Sequence, residues 1–137
     1  MKIFITTILL IVSTSVAAVD LGAPIKEASE AYLENGADAF IPAILKGSPL
    51  EGEKSALTQS NNIRQIEAYY GKFLGIEAMR EKKLSENVRL VYYVMNYENS
   101  PVFGNALLYK KKGKEIVTNF NFNTDLWQIA PAEVIFD

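Results

Sequence analysis

Residues 73–123 read FLGIEAMREKKLSENVRLVYYVMNYENSPVFGNALLYKKKGKEIVTNFNFN, and this stretch decides the fold. Four runs rich in β-branched and aromatic residues, 73–83, 88–97, 102–112 and 115–123, are separated by the turn signals Ser85-Glu86-Asn87, Asn99-Ser100-Pro101 and Lys112-Gly113. Connections this short join antiparallel neighbours, because a parallel pairing needs a crossover of a dozen or more residues. A four-stranded antiparallel meander is expected. In its last strand Ile116, Thr118, Phe120 and Phe122 alternate with Val117, Asn119, Asn121 and Asn123, which predicts an aromatic core face and an amide face. In its second strand Leu90, Tyr92 and Val94 alternate with Val91, Tyr93 and Met95, so both faces are apolar and both need cover. Helices cover one side; the other needs either the tail around Trp127 and Ile129 or a second subunit, which makes a homodimer through the sheet one expectation.

Upstream of the sheet the apolar period changes from two to between three and four. Pro24 suits a first helical turn, Ile25, Ala28 and Tyr32 share a face, and Asn35-Gly36 stops the helix. Asp38 leads a second short helical pattern with Phe40, Ile41, Ile44 and Leu45 apolar, followed by a loop containing Gly47, Ser48, Pro49 and Gly52. A third helix runs from about Ser55 to Tyr70, with Ile63, Ile66 and Tyr70 on one face and Gly71 as its C-terminal stop. The order is helices, then strands: an α+β domain with N-terminal helices packed on a curved four-stranded antiparallel sheet.

The N-terminus reads as an export signal. Met1-Lys2 is a positive n-region, Ile3 to Val12 an apolar core, and Ser13 to Ala18 a small-residue cleavage region, so cutting is expected after Ala18. Residues 1–18 are thus assigned as signal peptide and 19–137 as one domain in the periplasm or the secreted fluid, with no membrane contact after cleavage. The apolar run is shorter than the roughly 20 residues that cross a bilayer. The chain has no cysteine, hence no lipid-anchor motif and no disulfide framework.

Composition removes several kinds of chemistry. With 14 basic and 16 acidic residues the net charge is −2, which offers no general attraction for nucleic acid. The one dense basic run, Lys110-Lys111-Lys112-Gly113-Lys114, is expected to be a solvated hairpin turn. Histidine is absent as well as cysteine, so Ser-His-Asp and Cys-His nucleophiles and the usual zinc sites are excluded. No calcium-loop spacing occurs, and Gly71-x-x-x-Gly75 lacks the Lys-Ser/Thr of a phosphate loop, so no metal or cofactor is expected.

Gly47-Ser48-Pro49-Leu50, the junction Tyr70-Gly71-Lys72-Phe73-Leu74-Gly75-Ile76-Glu77 and the strand Asn119-Phe120-Asn121-Phe122-Asn123-Thr124, in this element order, carry a resemblance. The chain resembles the nuclear-transport-factor-2-like (NTF2-like, cystatin-like α+β) superfamily, and within it small exported domains of unknown function. That resemblance implies a sheet wrapped around the long helix as a cone with a pocket at its mouth, on a fold that serves isomerases, dehydratases, binding domains and dimerisation modules alike.

Three functions follow as expectations. The first is a non-catalytic binding or interaction module, with Tyr69, Tyr92, Phe120 and Phe122 lining a pocket for a small apolar ligand. The second is an isomerase or dehydratase-type enzyme in which Asp38 or Glu77 serves as a carboxylate base beside a tyrosine hydroxyl; it requires that carboxylate to point into an open cavity. The third is a structural dimerisation protein with a filled interior.

Overall fold

The structure, a computed structural model, describes residue 13 and residues 18–136. The expected export signal, residues 1–18, lies almost wholly outside the described residues.

Three helices come first: α1 (Ala23–Asn35), a 3-10 turn (Ala37–Ala39) leading directly into α2 (Phe40–Ile44), and α3 (Lys54–Tyr70). Strands β1 (Phe73–Lys83), β2 (Val88–Tyr97), β3 (Pro101–Lys111) and β4 (Lys114–Asn123) then pair antiparallel in the order β1-β2-β3-β4. A second 3-10 turn (Leu126–Gln128) and a short α4 (Ala132–Phe136) end the chain. The fold is α+β, and the sheet does not close, so β1 and β4 are both edges.

The expected strand boundaries hold to within one residue. Pro101 opens β3, where its missing N–H breaks no ladder bond in mid-strand. Lys112 and Gly113, with φ of 50° and 79°, form the two-residue turn between Lys111 and Lys114; two successive positive φ values are what a tight β3–β4 hairpin requires.

Two faces of the sheet are covered by different means. Toward the helices, Val91, Tyr93, Met95 and Tyr97 of β2 and Val102, Ala106 and Leu108 of β3 join Ile25, Tyr32, Phe40, Ile41, Ile44 and Ile63 in one core. On the opposite face Tyr92 is buried beneath Ile129 and Ala130, with Met79, Leu90, Phe103, Leu126, Val134 and Ile135 packed around them. The C-terminal tail therefore supplies cover for the second apolar face of β2, chiefly through Ile129 and not through Trp127, which is 56% exposed.

One register detail differs from the simple alternation expected in β4. Leu107 pairs with Asn119 while Leu108 pairs with Val117, so Thr118 is bulged out of the ladder. The extra residue shifts the phase: Val117, not Ile116 or Thr118, is the buried partner of Leu108, and Phe120 and Phe122 follow it on the helix side. Beyond the bulge the amides take the other face, where Asn121 donates to Asn105 and Asn119 and Asn105 donates to the Ile129 carbonyl. β1 carries two register shifts of its own, so both open edges of the sheet are interrupted.

Candidate functional site

The helix side of the sheet is filled. Tyr93, Phe40, Ile25, Ile41, Ile44, Ile63, Met95 and Leu108 are all below 2% exposure, and the concavities lie at the two ends of the helix–sheet contact.

At one end the β1–β2 and β3–β4 hairpins, the start of α1 and the end of α2 surround a cleft of about 950 Å³. Its organising residue is Arg89. On β2 it shares the inward parity of Val91 and Tyr93, so its guanidinium lies on the helix side of the sheet, only 15% exposed. There it donates to Glu115 through Nε (2.6 Å) and Nη2 (2.8 Å), to Glu81 at 3.0 Å and to the Asp20 carbonyl at 2.6 Å. Asp20 in turn accepts the Gly22 N–H at 2.9 Å and pairs with Lys26, and these two contacts hold its carboxyl below the ordinary range. Arg89 thus fastens both outer strands and the lead into α1 to one point. Its donors are committed to the fold, which leaves a cleft wall of mixed sign built around a structural clamp. Arg89→Met is expected to lower stability by about 2–3 kcal/mol, because Glu115 would be left partly buried without its partner. Urea unfolding checks this, and a loss below about 0.5 kcal/mol would reduce the clamp to an ordinary surface pair.

At the other end α3 and the end of β4 leave an open groove of about 350 Å³. Along α3 the positions Asn62, Gln65, Ile66, Tyr69 and Tyr70 recur at spacings of three and four, so they form one stripe facing Phe122, Asn123 and Thr124. Ile66 and Tyr70 lean into the core, whereas Tyr69 is 86% exposed. Phe122 is anchored from beneath by Phe120, their rings stacked with centroids 6.3 Å apart. Gly71 ends α3, and Asn99 N–H donates to the Tyr70 carbonyl at 2.9 Å, tying this rim to the β2–β3 hairpin. Among the described residues the groove is lined by no charged side chain.

The expected ligand residues are therefore only partly brought together. Tyr69 and Phe122 share the groove and Phe120 supports Phe122, but Tyr92 lies on the opposite face of the sheet under the tail. Neither expected carboxylate reaches a cavity. Asp38 sits in the 3-10 turn, exposed and paired with Arg64 at 3.3 Å. Glu77 projects from the tail side of β1, exposed, and accepts from Asn96 at 3.1 Å.

A carboxylate beside a tyrosine does occur, at a position the sequence reading passed over. Glu67 of α3 accepts from the Tyr32 hydroxyl at 2.6 Å, and Tyr97 donates to Tyr32 at 3.3 Å. Tyr32 also stacks on Phe73, centroids 3.9 Å apart. Burial is the main reason that Tyr97 is pushed up to about 12 and Tyr32 above the ordinary tyrosine range, with the bond to Glu67 adding to the latter. Glu67 lines neither cleft, so this chain of hydroxyls joins α1, α3 and β2 inside a packed region. Its signal was legible: Glu67 falls on the stripe of Ile63, Ile66 and Tyr70. Among the described residues no three Asp or Glu side chains converge as metal ligands would.

No protein-family model and no curated protein matches the chain. Among solved structures it is similar to the crystal structure of a DUF4783 family protein from Bacteroides uniformis, at 11% identity and a TM-score of 0.38, over 51% of this chain and 63% of that one.

Proposed function

We propose that this protein is an exported, non-catalytic binding module that holds a small uncharged ligand in the groove between α3 and the end of β4. The observation that carries the reading is Tyr69. A large ring 86% exposed is normally a poor use of apolar surface, and here it stands over a groove floored by Phe122 and Tyr70. Export rests on the N-terminal signal pattern. The NTF2-like reading belongs to this proposal too, supported by the element order and the short motifs at residues 47–50, 70–77 and 119–124. In that reading the space a cone would enclose is occupied by core side chains, and binding moves out to the rim.

The filled interior also bears on catalysis. The Tyr32–Glu67 contact has the chemistry of a proton-transfer pair, but it lines neither cleft, and the Tyr32 ring is packed against Phe73 and Tyr97. A homodimer through the tail-covered face is a second reading, favoured by Trp127 and Phe136, which stack with centroids 6.3 Å apart while 56% and 78% exposed.

Native mass spectrometry of the protein recovered from its own host's exported fraction tests the proposal. The expected result is a monomer carrying a small-molecule mass that is lost from Tyr69→Ala. A ligand-free dimer from both proteins would favour the second reading instead.

A further inference from the structure

Resting on the groove as the binding site, the lining points to a narrower class of occupant: we infer that it takes a neutral oligosaccharide. The groove combines the rings of Tyr69, Tyr70 and Phe122 with the side-chain amides of Asn62 and Gln65 on α3. An ionic ligand finds no counter-charge in this set. A purely apolar ligand would cover these two amides and leave them without water or a partner, which is unfavourable. Each amide offers both a donor and an acceptor, so the matching ligand presents groups that do both. Sugar hydroxyls do. A pyranose also carries an apolar C–H face that lies flat on an aromatic ring, and Tyr69 provides an accessible one.

The amides are available for such contacts. No intramolecular partner engages the Asn62 or Gln65 side chains among the described residues. Direction also argues against an extended peptide adding to the sheet edge. The groove follows α3 from residue 62 to residue 70, about 12 Å at 1.5 Å per residue, and meets β4 only at its last turn outward, residues 122–124. A peptide paired to β4 would run along residues 114–121 instead, across the bulge at Thr118.

The test is a titration of the isotopically labelled protein, followed by amide chemical shifts. The probes are neutral hexasaccharides of glucose, mannose, galactose and xylose, with hexagalacturonate, an uncharged Thr-Val octapeptide and 2-naphthol as comparators. The inference predicts saturable shifts at 62–70 and 122–124 with at least one neutral hexasaccharide, weaker binding of hexagalacturonate, and roughly tenfold weaker binding of the neutral sugar by Tyr69→Ala. Tyr69 is exposed, so that variant is expected to keep the wild-type spectrum elsewhere. If only the octapeptide or 2-naphthol moves these residues, the sugar assignment is overturned and the groove stands as a site for another uncharged ligand. If no probe moves them, the groove reading is overturned as well.

Discussion

Gly104→Ala is expected to lower the thermal unfolding midpoint by about 10 °C, equivalent to about 3 kcal/mol, as the overpacking of a filled core does. Gly104 pairs with Tyr93 across β2 and β3, and the Tyr93 ring lies over it so closely that an added Cβ would stand 2.3 Å from two ring atoms. The ring has nowhere to go, because Tyr93 is fully buried among side chains that are themselves below 2% exposure. Among the described residues its hydroxyl has no hydrogen-bond partner, so shape complementarity to a bare stretch of β3 is what holds it. A double-mutant cycle isolates that contact. Tyr93→Leu in the Gly104→Ala background should cost less than in the wild type by at least about 1 kcal/mol, since the clash has been removed. Additive losses would mean that Gly104 is needed for some reason other than this ring.

The second large effect is alkaline unfolding. Tyr32, Tyr93 and Tyr97 are 3%, 0% and 5% exposed, and burial raises the pKa of all three, Tyr97 to about 12. In the unfolded chain each ionises near pH 10. A folded value raised above the unfolded one means that the contribution is complete below pH 10 and is lost as pH rises through the folded values. Across pH 10 to 12 the unfolded state releases three protons that the folded state retains, so stability should fall by about 4 kcal/mol per pH unit. The loss accumulated by pH 12, about 8 kcal/mol at most, is comparable to the roughly 5–15 kcal/mol that a small domain holds in all, so most of the stability should be gone by then. Urea midpoints and tyrosinate absorbance measured together check this: the three buried tyrosines should ionise only as the chain unfolds. A urea midpoint that stays level from pH 10 to 12 would show that these hydroxyls reach water in the folded state.

Much of the architecture could be read from residues whose physics is local. Strand periodicity, the Lys112-Gly113 turn and the Gly71 helix stop act over a few positions, and the four strands lie where their alternation put them to within a residue. The bulge at Thr118 was not legible, because one unpaired residue changes which parity faces the core without changing composition. The second cover of β2 was legible only as a need. That Ile129 and Ala130 meet it over Tyr92 depends on where the chain turns after β4. For the site, an aromatic groove could be anticipated at Tyr69 and Phe122, but α3 and β4 are joined there by tertiary packing alone, so Asn62 and Gln65 gave no sign of belonging to it. Arg89 and Glu67 did carry a signal, each being a charged residue on the inward parity of its own element. Such residues need a partner, and the partners Glu115 and Tyr32 are 26 and 35 positions away.

The central claim is that the groove between α3 and β4 is where this protein binds. Chemical-shift mapping with small uncharged probes, phenol and cyclohexanol at millimolar concentration, tests it most directly. The account predicts that the shifted amides cluster at residues 62–70 and 122–124. A cluster around Arg89 and the two hairpin tips, or beside Tyr92 under the tail, would contradict it.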